Sequence, residues 1–207
     1  MKNPFPIFAL SLLLTFSACS SPQKSEKKEP TNLPTSEVSK PDANSDISPP
    51  NDETVVPPEL PLTISSSAFS ANTAIPSVYS CDGKGVNPPL SLSNPPKAAK
   101  SLVLLVDDPD APAGTWDHWI LWNIDPTVSQ IGENTVPANA VQGKNSSGTN
   151  GYEGPCPPSG THRYFFKLYA LDAMINLKEG STKFDVEREM EGHIVASADI
   201  VGLYSSK

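Results

Sequence analysis

"SLVLLVDDPDAPAGTWDHWILWNI", residues 101–124, places two apolar runs on either side of a turn-rich insert. The first, Leu102 to Val106, is continuous: long enough for a strand buried on both faces and too short for a good helix. Pro109 and Pro112 end it, because proline has no N–H to give to a ladder. The second run, "WDHWILWNI" (116–124), reads as another strand. Strict alternation puts His118, Ile120, Trp122 and Ile124 on one face, with Asp117, Trp119, Leu121 and Asn123 on the other.

The same reading extends outward. "LPLTISSSAF" (60–69) alternates in part and reads as a first strand; "RYFFKLYALD" (163–172) is an aromatic strand, and "IVASADIVGLY" (194–204) a last one. "SVYSCDGKGVNPPLSLS" (77–93) carries turn signals at Asp82-Gly83 and Pro88-Pro89. "VEREMEGHI" (186–194) reads as a short helix ended at Gly192. Strands dominate, no internal repeat is visible, and the helices are too few for alternating βαβ units. A mainly β, sandwich-like domain with a few short helices is expected.

The 207-residue chain divides into three zones. Residues 1–19 have the parts of an export signal: Lys2, the apolar "IFALSLLLTF" (7–16), and small residues before Cys19. That apolar run is too short for an ordinary spanning helix. "FSACSS" resembles a lipobox, so Cys19 is expected to be lipidated, although Phe16 stands where leucine is usual. Signal cleavage without a lipid and an uncleaved anchor are the alternatives. Residues 20–61 mix Pro, Ser, Glu, Lys and Asp, cannot bury enough surface to offset ordering entropy, and read as a disordered tether. Residues 62–207 are the folded domain. The expected location is therefore the bacterial cell envelope, periplasmic or surface side, on a membrane through the anchor.

A formal net charge of −8 argues against nucleic acid, since no basic stripe is present to release counterions. Any bound anion must be held by local groups against the overall field. Export also makes a disulfide permissible. Cys81 and Cys156 are the two cysteines of the domain, but spacing alone leaves a bridge and two separate thiols equally open.

Three places put polar groups where strand ends meet loops. "DDPDAP" sets Asp107, Asp108 and Asp110 just past a buried strand, where carboxylates repel unless donors lie nearby, or else serve as turn residues. His118 sits between Trp116 and Trp119; His193, beside Gly192, reads as structural. "GYEGPCPPSGTHRY" (151–164) is a Gly/Pro loop that lets backbone approach a ligand closely, and proline makes it stiff. Just beyond it, His162 and Tyr164 are two apart and share a strand face. If these places converge, protonated imidazoles and a phenol form a receptor for a small anion such as phosphate. A nearby carboxylate, Asp108, would keep a histidine charged and oriented.

These residues also carry a family resemblance. "DPDAP" (108–112), "HWILWNI" (118–124) and "GYEGPCPPSGTHRY" resemble the three motifs of the phosphatidylethanolamine-binding protein family. "YSCDGKGVNPPLS" (79–91) and "MEGHIVASADIVGLY" (190–204) are similar to its bacterial, Raf kinase inhibitor-like branch. The resemblance implies a β-sandwich around a large central sheet, with a pocket for phosphate or a phospholipid headgroup. By position it makes Asp108, His118, His162 and Tyr164 the polar residues, Trp116 an aromatic wall, and Gly154, Cys156 and Pro157 part of the rim. A bridge from Cys156 to Cys81 would then stiffen that rim. "LSLSN" (90–94) lacks the tryptophan that bacterial members usually carry there. No cofactor, metal or catalytic residue is expected.

Three rival readings remain. A protein-interaction module, inhibiting a protease or kinase, would use the same pocket, and an exposed, ordered loop at "NSSGTN" (145–150) would favour it. A metal-dependent hydrolase would take Asp108, His118 and His162 as ligands with Asp110 as base, though no HExxH-type pair is present. A carbohydrate platform fails because Trp119 and Trp122 face opposite ways, and Ser159 lacks the surroundings of a nucleophile elbow.

Overall fold

The computed structural model describes residues 59–207. The signal reading of residues 1–19, lipidation of Cys19 and nearly all of the tether lie outside the described residues. Among the described residues nine strands occur in chain order: β1 Thr63–Ser66, β2 Thr73–Ala74, β3 Leu90–Ser93, β4 Ser101–Asp108, β5 Trp116–Ile124, β6 Gln130–Ile131, β7 Val141–Gln142, β8 His162–Leu171 and β9 Ile194–Tyr204. The same residues hold one α-helix, α1 at Lys183–Met190, and one 3-10 turn at Ser77–Tyr79. Among the described residues no helix is long and apolar enough to cross a membrane.

The continuous apolar run of β4 sits in the middle of a six-stranded sheet ordered β2-β9-β8-β4-β5-β7, antiparallel to both β5 and β8. Every residue of β4 is buried, as a strand covered on both faces requires. One face, with Leu102, Leu104, Val106, Trp119, Leu121 and Phe166, packs on a three-stranded sheet, β1-β3-β6, through Ile64, Leu90, Leu92 and Ile131. The other face, with Val103, Leu105, Ile120 and Trp122, is closed by Val186 and Met190 of α1. Each such side chain contributes roughly 1.5–3 kcal/mol when fully buried. Two apolar layers thus hold the central sheet rigid behind its strand ends.

The long strands fall where the pattern puts them, with shifts at the ends. β1 is shorter than 60–69, and the turn-rich segment 77–93 ends in a strand, β3. The helix begins earlier than residue 186 because Thr182 and Asp185 form a capping box, each side chain satisfying the other's backbone N–H.

The largest departure concerns β5. Val106 pairs with Trp119 but Asp107 pairs with Asp117, so His118 is an extra residue in the ladder, a β-bulge. A second irregularity lies between the Leu104↔Leu121 and Leu102↔Ile124 pairs, where Asn123 has φ 57°. Its side chain fixes that turn of the chain by bonding both Ile175 N–H and Ile175 C=O. Strict alternation therefore fails twice. Ile124 joins Trp119 and Leu121 in the inter-sheet core instead of Ile120 and Trp122. His118 leaves the face of Ile120 and stands edge-on to Tyr164, with ring centroids 5.1 Å apart. Asp117 turns away from Trp119 toward Lys183 on the helix side.

Candidate functional site

At the end of β4, beside the starts of β5 and β8, lies a cavity of about 360 Å³. Asp108, Trp116, His118, Gly154, Cys156, Pro157, His162 and Tyr164, spread over more than a third of the domain in sequence, all line it. Glu153 and the Ala111–Ala113 turn complete the wall. These last were not assigned from sequence, although they stand in or next to the "DPDAP" and "GYEGPC" stretches that drew notice. Among the described residues no lysine or arginine lines the cavity.

The strand period splits the three aspartates. Asp107 points to the helix face, where Lys167 and Lys183 donate to its Oδ2 at 2.8 and 2.7 Å. Asp108, one residue on, points into the cavity. Its Oδ2 accepts from His162 Nδ1–H at 2.7 Å and its Oδ1 from Asp110 N–H at 2.8 Å. Asp110 turns outward, and its carboxylate takes a two-pronged bond from Arg163 at 2.9 and 2.7 Å. That guanidinium holds its pKa down at about 2. Asp110 is thus occupied by a cation and is not placed as a general base.

His118 is buried, and its Nδ1 lies 2.8 Å from the carbonyl of Glu153. A carbonyl only accepts, so Nδ1 carries the proton and Nε2 is the nitrogen left free. Burial pushes the imidazole pKa below its ordinary value, against the smaller pull of Glu153 and Asp108. Two equally protonated imidazoles are thus not what the geometry favours: burial works toward the neutral form at His118. The Tyr164 hydroxyl is fully buried without a hydrogen-bond partner. Burial first, then the charge of Asp108, raises its pKa, so it remains a protonated donor.

The rim is built tightly. Glu153 N–H donates to the His118 carbonyl at 2.9 Å, and Trp116 Nε1–H donates to the Glu153 carboxylate at 3.2 Å. Cys81 and Cys156 are disulfide-bonded with Cα atoms 5.4 Å apart, and Cys81 N–H bonds the Pro155 carbonyl at 3.1 Å. Gly154 is required by close approach: a Cβ there would lie 2.7 Å from the Tyr79 carbonyl oxygen and 2.8 Å from Ser80 Cα. Tyr152 ties down the same backbone through its hydroxyl, at 3.0 Å from the Tyr79 carbonyl. His193 lies outside the cavity lining and bonds Asp172 at the surface. Among the described residues no group of three His, Cys, Asp or Glu is placed to hold a metal ion.

A sequence profile described as Phosphatidylethanolamine-binding protein matches residues 65–205. A UPF0098 protein of Methanothermobacter thermautotrophicus is 49% identical over 148 residues, covering 69% of this chain and 98% of the relative. A phosphatidylethanolamine-binding protein homologue from Chlamydia trachomatis, solved by crystallography, superposes with a TM-score of 0.69 at 46% identity, covering 71% of this chain and 99% of that one. YbcL of Escherichia coli gives a TM-score of 0.67 at 30% identity over 72% of this chain and all of YbcL.

Proposed function

The chain belongs to the phosphatidylethanolamine-binding protein family, and from that premise we propose that its pocket is a receptor for a small phosphorylated anion. No catalytic step is assigned. The observation that carries the reading is the Tyr164 hydroxyl, a buried donor without a well-formed hydrogen bond, although the Asp108 carboxylate and the Cys156 backbone lie near enough to act on it. An orphaned buried donor costs about 1–3 kcal/mol, a cost that an anion in the cavity would relieve. His162 Nε2 and His118 Nε2 are its companions, since both Nδ1 atoms are engaged elsewhere. Asp108 orients His162 so that it can meet an oxygen as donor when charged or as acceptor when neutral. The Gly/Pro rim is fixed before the ligand arrives, so little ordering entropy is lost on binding. Trp116 and the Ala/Pro turn supply an apolar mouth for an organic substituent.

Calorimetric titration of phosphate into wild type and Tyr164→Phe tests this. The variant should fold with unchanged or higher stability and bind phosphate about tenfold or more weakly. A variant that binds as tightly as wild type would remove the reading.

Export and lipid anchoring at Cys19 belong to the same proposal and rest on the sequence of residues 1–61. Palmitate labelling that persists in Cys19→Ala would overturn the anchor. A second reading, in which the anion sits on a protein partner such as a protease or kinase, draws on the loop at 145–150. Ser146 to Asn150 are exposed, while buried Asn145 ties the loop together through Thr149, Ser147 and Gly151.

A further inference from the structure

The pocket has an unusual donor balance for an anion site. It holds no ammonium or guanidinium group, and two carboxylates, Asp108 and Glu153, flank it. Its ring nitrogen at His118 faces Asp108 from β4, His162 and Tyr164 from β8, and Glu153 from the rim. Because the Glu153 carbonyl fixes the proton on Nδ1, the neutral ring presents a lone pair at Nε2. Nε2 has no partner among the described residues. A fully ionised oxygen set against that lone pair is repelled, whereas an oxygen that still carries hydrogen donates to it. The remaining oxygens can then accept from Tyr164 O–H, and from His162 Nε2 when that ring is charged.

Resting on the anion-receptor reading above, we infer that the pocket selects phosphate species that keep a P–O–H group, inorganic phosphate or a phosphomonoester, over phosphodiesters. A phosphodiester, the form found inside a phospholipid, has acceptors only. To bind it, His118 must take a proton from solvent onto a ring whose charged form burial disfavours. A monoester brings the proton with it, since its second ionisation lies near pH 6. The flanking carboxylates act in the same direction by disfavouring a dianion. The recognised source is therefore a soluble phosphate or monoester, and an intact lipid headgroup is the disfavoured one.

Ethyl phosphate and dimethyl phosphate are isomers that differ in whether a P–O–H is present. Both should be titrated calorimetrically into the full wild-type chain at about pH 5.5, where the monoester keeps its P–O–H, beside inorganic phosphate. The monoester should bind about tenfold or more tightly than the diester, the ratio that follows from losing one paired hydrogen bond in a closed site. Equal affinities, or a tighter diester, would overturn the selectivity and leave the anion receptor standing. No heat from any of the three would remove both. Nitrogen-15 shifts of the His118 ring give an independent readout: a proton on Nδ1 and none on Nε2 in the free protein is expected, and an Nε2–H tautomer would overturn the inference. If phosphate binds and neither ester does, that ring measurement decides alone.

Discussion

Replacing both Cys81 and Cys156 by serine isolates one contribution to stability. Both residues are exposed, so the substitution removes a cross-link and almost no packing. The bridge joins residues 75 apart, and closing a loop of that length restricts the unfolded chain by about 4.5 kcal/mol at 25 °C in the chain-entropy account. With an unfolding entropy of roughly 2.1 cal/mol/K per residue, a domain of about 150 residues should lose about 14 °C in Tm. Urea unfolding of oxidised wild type, reduced wild type and the double variant measures the free-energy loss, and thermal unfolding of the same three the Tm. The last two should agree with each other and lie below the first. The pocket should suffer less than the stability, because Gly154 still seats on the Tyr79–Ser80 backbone and Cys81 N–H still bonds Pro155. Phosphate affinity should fall by less than about tenfold. A stability loss below about 1 kcal/mol would refute the loop-closure reasoning, and loss of all binding would refute the independence of the rim.

Gly154→Ala should do the converse: its methyl meets backbone that is held on several sides, costing about 1–3 kcal/mol and distorting the rim, read as lower Tm and weaker phosphate binding together. An unchanged Tm would mean the close approach relaxes freely. For His118 the folded-state pKa lies below the ordinary 6.5, so the unfolded chain takes up its proton first as pH falls. The stability it contributes is complete above about pH 6.5 and is lost below it, down through the folded pKa. Urea midpoints near pH 8 and pH 5 should differ less in His118→Gln than in wild type; parallel changes would exclude His118 as the source. Lys183→Met leaves buried Asp107 with Lys167 as its one remaining cation and should cost about 2 kcal/mol in chemical unfolding; a neutral result would show that Lys167 suffices.

How far the sequence could be read depended on the length over which each signal extended. β4, β8 and β9 were legible because eight or more residues repeat one pattern. β2, β6 and β7 have two residues each, too few to show any period. His162 and Tyr164 could be put on one face because β8 keeps its register there against β9. His118 could not, because the bulge that turns it is visible only against β4, and a one-residue insertion leaves no mark in the composition of β5. The cysteine pairing was open for a related reason: it is decided by where the 79–82 turn meets the 153–157 rim, a contact between segments far apart in sequence. Glu153 escaped notice because its main contribution comes through its backbone carbonyl, which any residue type would supply.

The bulge also bears on how a chain of net charge −8 can host an anion without a lysine or arginine in the pocket. Asp107, Asp108, Asp110 and Asp117 all lie within a few residues of the cavity, and four free carboxylates there would repel any phosphate. Strand alternation sends Asp107 to the far face, and the bulge sends Asp117 with it, where Lys167 and Lys183 neutralise the pair. Arg163 takes Asp110 at the rim. Of these four only Asp108 stays inside, with its charge engaged by His162 and by the Asp110 N–H, while the Glu153 carboxylate at the rim takes the Trp116 indole N–H. The cations are spent on silencing carboxylates around the site, and what faces the ligand is a set of nearly neutral dipoles. Such a set discriminates by where hydrogens sit more than by total charge. This is why the position of one proton on His118 should govern what the pocket accepts.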